Sequence, residues 1–93
     1  MRHYEMMVIL DAGIETHSEE IAKVEEVIKN LGGNVTKTDQ LGKKTLAYPI
    51  NKKTEGFYTV FYFDLDAAQT FELRRILGLR QNIYRQLMLV QDD

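Results

Sequence analysis

The sequence predicts an α+β fold in which strand, helix, strand, strand, helix and strand follow one another over 93 residues. Three observations predict it. Residues 57–63, Phe-Tyr-Thr-Val-Phe-Tyr-Phe, are β-branched and aromatic throughout, as a central strand covered on both sides requires. Ile21, Val24, Val27, Ile28 and Leu31 recur at helical spacing and make one apolar stripe. Residues 3–10 alternate, with Tyr4, Met6, Val8 and Leu10 on the more apolar side of a strand.

Taken in order, the first strand ends at Asp11-Ala12-Gly13. Thr16 followed by Glu19 is a capping-box pattern that opens the first helix, with Ser18 as the rival cap. Gly32-Gly33 stops that helix, where the backbone needs a positive φ. Residues 34–41 and 44–50 are weaker strand signals, and Gly42 between them marks a bulge. Residues 51–56 are polar with a terminal glycine and predict a hairpin loop. In the strand that follows, Phe57, Thr59, Phe61, Phe63 and Leu65 face inward, because the alternate set ends in acids at Asp64 and Asp66. Asp66 or Thr70 starts the second helix, Leu73, Ile76 and Leu77 form its buried stripe, and Gly78 ends it. Residues 83–90 are a last strand whose alternation is too weak to assign faces. Two right-handed crossovers place both helices on one face of a four-stranded antiparallel sheet, the ferredoxin-like βαββαβ arrangement, with residues 1–93 as a single domain.

Composition narrows the function. The chain has no cysteine, so disulfides and thiolate-based metal sites are excluded. His3 and His17 lack supporting ligands, and no metal is expected. No apolar run reaches the roughly 20 residues that span a bilayer, and Met1-Arg2-His3-Tyr4-Glu5 does not open a signal peptide, so the expectation is a cytosolic protein with no membrane partner.

The net charge of -2 hides a segregation. Residues 1–40 carry eight acids and four bases, whereas residues 73–91 carry Arg74, Arg75, Arg80 and Arg85 and no acid. Lys43, Lys44, Lys52 and Lys53 bracket the short segment Thr45-Leu46-Ala47-Tyr48-Pro49-Ile50-Asn51. A phosphate backbone responds to local charge, so these clusters point to a polyanionic partner.

With these elements in place, the chain resembles the bacterial small-subunit ribosomal protein six family. Met1-Arg2-His3-Tyr4-Glu5, Gly42-Lys43-Lys44-Thr45-Leu46-Ala47-Tyr48-Pro49-Ile50-Asn51-Lys52, Gly56-Phe57-Tyr58 and Arg80-Gln81-Asn82-Ile83-Tyr84-Arg85 carry the resemblance, in order and over nearly the whole chain. Thr45 departs from the charged or amide residue usual there, Lys43 and Lys44 replace an arginine-rich pair, and the long charged tail of some members is missing after Asp92-Asp93. The resemblance implies a structural role without catalysis, cofactor or small-molecule substrate. It implies binding to the central domain of small-subunit ribosomal RNA together with a small basic partner, ribosomal protein eighteen.

The candidate RNA contacts are Arg2, Lys43, Lys44, Tyr48, Lys52, Lys53, Arg80 and Arg85. Lysine suits phosphate without base selectivity, and arginine adds a two-pronged grip and stacking. Tyr48, held extended before Pro49, either caps the core or touches RNA. Arg74 and Arg75 read as solvated. The face carrying Met7, Ile9, Tyr58, Val60 and Tyr62 is too apolar for plain solvent and either takes a partner protein or is shielded by the hairpin.

Three rival functions have distinct signatures. A free-standing RNA-recognition-type module that binds single strands uses an aromatic strand like Gly56-Phe57-Tyr58-Thr59-Val60-Phe61-Tyr62, but Glu55 and Thr59 break its pattern. An acylphosphatase-like enzyme needs a base in the loop after the first strand, and residues 11–16 have none. A metabolite-sensing domain that dimerises through its sheet has only the apolar open face in its favour.

Overall fold

The computed structural model describes residues 1–13, 17–50 and 53–91, and of residues 47–50 and 53 the backbone pairing alone. The chain runs β1 (Arg2–Asp11), α1 (His17–Asn30), β2 (Asn34–Ile50), β3 (Lys53–Leu65), α2 (Thr70–Gly78) and β4 (Ile83–Val90). The strands form one antiparallel sheet in the order β2-β3-β1-β4. This is the ferredoxin-like arrangement that the sequence predicts. No described helix is long and apolar enough to cross a membrane.

Strand parity builds the core. Tyr4, Met6, Val8 and Leu10 of β1 and Phe61, Phe63 and Leu65 of β3 are buried on the face that also receives Ile21, Val24 and Ile28 of α1 and Leu73 and Leu77 of α2. Tyr4 stacks on Phe63 with ring centroids 5.6 Å apart, so Tyr4 belongs to the core. Ile76, expected in the buried stripe of α2, is only half-buried.

The ends of α1 and α2 follow local chemistry. Gly32 has φ 88°. Its N–H donates to Lys29 O at 3.0 Å and that of Gly33 to Ile28 O at 2.9 Å, the doubled bond of a glycine-terminated helix. A side chain on Gly33 would place Cβ 2.7 Å from Asp64 O, so that position also needs glycine for space. Thr16 lies outside the described residues, and Ser18 sits inside α1 rather than before it. Both proposed starts of the second helix are used. Asp66 accepts from Ala68 N at 3.0 Å and caps a 3-10 turn, Ala67–Gln69, while Thr70 opens α2 and donates to Ala67 O at 2.9 Å.

β2 is one 17-residue strand with three register shifts, and Gly42, at φ 90°, sits at the middle one, as the bulge reading requires. The expected loop over 51–56 is shorter than its composition suggests. β3 begins at Lys53, and Glu55 and Gly56 pair with Thr45 and Lys44. Backbone pairing needs no apolar side chain, so a polar hairpin tip can continue the ladder.

One ion pair ties the ends of the fold together. Arg80, in the turn after α2, donates to both carboxylate oxygens of the buried Glu20 on α1 at 2.8–3.0 Å, and Asn82 adds a bond at 3.2 Å. Asn82 in turn accepts from Asp11 N at 2.9 Å, which seats the start of β4 beside the end of β1. The hydrogen bond from Arg80 holds the Glu20 carboxyl below its ordinary range, outweighing burial, which pushes the other way.

A lowered native pKa contributes stability that is complete above the unfolded value and is lost as pH falls through the folded one. The wild type should therefore lose this contribution on acidification. Arg80→Ala leaves Glu20 buried without its partner and should cost about 3 kcal/mol at pH 7. Part of that loss should be recovered near pH 4, where Glu20 can protonate; urea unfolding at both pH values measures it. A second expectation concerns Thr59, whose hydroxyl is fully buried and has no hydrogen-bond partner. Thr59→Val should raise stability by about 1 kcal/mol, read as a higher urea midpoint with unchanged slope.

Candidate nucleic-acid interface

The hairpin of β2 and β3 projects from the end of the sheet where β1 finishes, since Asp11 pairs with Gly56. Gly42 lies opposite Tyr58, Lys43 opposite Phe57 and Lys44 opposite Gly56. Strand parity therefore sends Lys43 and Lys44 to opposite faces of the ribbon. Both are exposed. Lys44 Nζ lies 5.8 Å from the centre of the Tyr58 ring, close enough for a cation–π contact. Arg85 stands opposite Ile9 on the same open face, two strands from Tyr58, so it shares the hairpin end of the sheet.

The base of the hairpin is anchored to α1. The His17 ring stacks on Phe57 with centroids 3.9 Å apart and planes 12° apart, and its Nε2 donates to Asp11 O at 3.0 Å. Phe57 thus packs toward the helices, as its inward parity predicts. On the other face, Gly56 lets β2 close over β1, because a Cβ there would lie 2.5 Å from Ile9 Cγ2 and 3.1 Å from Leu46 Cδ2. Leu46 and Ile9 are consequently buried together.

The structure separates the predicted RNA contacts. Lys43, Lys44 and Arg85 gather at the hairpin end. Arg2 pairs with Leu65 at the opposite end of β1, about 25 Å away along the strand. Arg80 is drawn into the fold: its Nε and Nη2 are held by Glu20 in a part-buried pair. Lys52 and the side chains of Tyr48 and Lys53 lie outside the described residues. Arg75 pairs with Glu72, and Arg74 is exposed.

The open face is also resolved residue by residue. Ile9 and Val60 are buried, Ile9 by the hairpin, while Met7, Tyr58 and Tyr62 remain half-buried. Sequence reading missed Lys37, whose Nζ lies 5.6 Å from the Tyr62 ring centre and 3.4 Å from Asp39 Oδ2. Thr36 is the extra residue of a bulge, so Val35 faces Phe63 in the core while Lys37 meets Tyr62 on the open face. Simple alternation gives those two residues the same face and hides the change. Burial first, then the neighbouring Glu5 carboxylate, raises the Tyr62 phenol above its ordinary range.

A helix-backed antiparallel sheet with a cationic hairpin and a half-covered open face defines a ferredoxin-like protein built for contact with other macromolecules. The ribosomal protein S6 family model matches residues 3–89, and the chain belongs to that family. Over 95 residues it is 44% identical to small ribosomal subunit protein bS6 of Corynebacterium aurimucosum, covering 100% of this chain and 99% of that one. The bS6 of Salinispora arenicola is 45% identical over 87 residues, 91% of each chain. The crystal structure of 30S ribosomal protein S6 from Thermotoga maritima superposes with a TM-score of 0.88 at 29% identity, over 97% of this chain and 87% of that one. The P2 domain of a chemotaxis kinase, at TM-score 0.57 and 18% identity, shares the fold alone. The chain is thus a structural protein of the small ribosomal subunit, a particle of the cytoplasm.

Proposed function

We propose that this chain binds the central domain of small-subunit ribosomal RNA through its hairpin end, in company with ribosomal protein eighteen, as a non-catalytic component. The observation that carries this is the gathering of Lys43, Lys44 and Arg85 at one end of an elongated molecule, 37 Å in its long dimension. Lys53 opens β3, and Lys52 precedes it in the sequence. Exposed lysines on a projecting ribbon can follow phosphates without reading bases. Arg2, at the far end of β1, would serve as a separate contact, and Tyr48, late in β2, as another. The half-open face around Met7, Tyr58 and Tyr62 would receive the protein partner.

The packing of Phe57 speaks against the free-standing single-strand binder. That mode needs the leading aromatic on the open face, whereas His17 covers this ring on the helix side. Phe57→Ala should therefore act on stability more than on RNA contact.

The test is a salt titration of binding to a central-domain RNA fragment. The quadruple change Lys43→Glu, Lys44→Glu, Lys52→Glu and Lys53→Glu should leave the circular dichroism spectrum unchanged. It should weaken binding by at least about 100-fold near 0.1 M salt and reduce the slope of log K against log salt by roughly 3. Unchanged affinity and slope would remove the hairpin from the interface.

A further inference from the structure

The open face divides along β1. On the β2 side, Lys37 and Lys44 lie over Tyr62 and Tyr58. Toward β4, Met7 of β1, Val60 of β3 and Leu87 and Leu89 of β4 line a groove of about 260 Å³, with Glu5 contributing its one charged side chain. Leu87 and Leu89 are 53% and 63% exposed, although they stand directly opposite Met7 and Glu5 in the sheet.

The groove runs beside an edge, because β4 is the outermost strand. Gln91 N donates to His3 O at 2.8 Å, and the register continues through Leu89 opposite Glu5 and Leu87 opposite Met7. In an antiparallel ladder this alternation turns the N–H groups of Gln86, Met88 and Val90 outward, away from β1. Natural sheets guard such edges with charges, proline or bulges. From Gln86 to Val90 this strand has no charge and no proline, and its register with β1 is regular. An edge with those donors and two exposed leucines suits strand addition, in which an extended segment pairs with the backbone and sets alternate side chains into a neighbouring groove.

We infer that an extended segment of a basic protein partner pairs with the edge of β4, lays apolar side chains over Leu87 and Leu89, and brings a lysine or arginine to Glu5. Charge selects this occupant. The groove's one charged side chain is a carboxylate, which repels phosphate and favours a cation, while the lysines of the same face lie on its β2 side and Arg85 lies beyond Leu87 toward the hairpin end. The inference rests on the proposed reading of a basic protein partner and goes past it in naming the edge, the pairing mode and the ion pair.

The experiment titrates the full chain with purified ribosomal protein eighteen by calorimetry, with amide exchange of the wild-type complex recorded alongside. The double variant Leu87→Lys/Leu89→Lys should weaken binding by about 100-fold, and Glu5→Lys by about 10-fold. Lys29→Glu, on α1 at the opposite face of the sheet, should change binding by less than about twofold. The amides of Gln86, Met88 and Val90 should slow in exchange on complex formation. Binding that survives the double variant, with those amides unprotected, would overturn the inference and leave the partner reading intact. Absence of binding by the wild-type chain would overturn both. A homodimer of the isolated chain that Leu87→Lys dissociates would assign the edge to a second copy and overturn the inference as well.

Discussion

Everything in this structure depends on the two-residue period of β1 and β3. Tyr4, Met6, Val8 and Leu10 alternate with Glu5, Met7 and Ile9, and Phe61, Phe63 and Leu65 alternate with Val60, Tyr62 and Asp64. A slip of one residue would exchange the buried and open sets of both central strands. The first set binds the helices and makes the core. The second cannot be made fully polar without losing its cross-strand contacts, so it leaves a partly apolar surface that must be covered. The hairpin covers Ile9 through Leu46, and the rest of that face stays available to a partner.

The same period explains what could be read in advance. β1, β3 and the stripe of α1 were legible because their apolar residues repeat without interruption and because Gly32 and Gly33 mark the helix end by a requirement no other residue meets easily. β2 was not, since its bulges reverse parity at Thr36 and Leu41, and the turn from Val35 in the core to Lys37 on the open face leaves no trace in the pattern. β4 was ambiguous because Leu87, Met88, Leu89 and Val90 satisfy either face; only the register with β1 assigns them. The cations of the site were legible by type but not by commitment. Arg80 reads as another basic residue until Glu20, 60 positions earlier, is found against it.

That pair also bears on electrostatics. Glu20 follows His17 by less than one turn of α1, and His17 packs on Phe57 at the base of the hairpin, so Glu20 is the buried helix carboxylate at the cationic end, with the exposed Glu19 beside it. Arg80 neutralises it there. Glu25 and Glu26 lie farther along α1, where they line a cleft with Lys29 and Asn34 at the other end of the helix. Of the acids in the described residues, Glu20 is paired, Glu25 and Glu26 lie away from the hairpin, and Glu55 stands on the hairpin opposite Thr45.

Distance completes this separation. Screening at physiological salt reduces exposed charges to local effects beyond about 8 Å, and the molecule is 37 Å long. A phosphate approaching the hairpin therefore meets Lys43 and Lys44 with Glu55 as the local carboxylate of the described ribbon and little opposition from distant ones, whatever the sign of the net charge. A cation approaching the groove meets Glu5, with the lysines of the same face across β3 and Arg85 nearer the hairpin end of β4. One small sheet can in this way present surfaces of opposite preference, provided that its strands keep each charge on its own side. The parity of β1 and β3 maintains that condition, and the bulges of β2 adjust it so that Lys37 and Lys44 lie over the tyrosines while Glu5 stands between Tyr62 and Leu89.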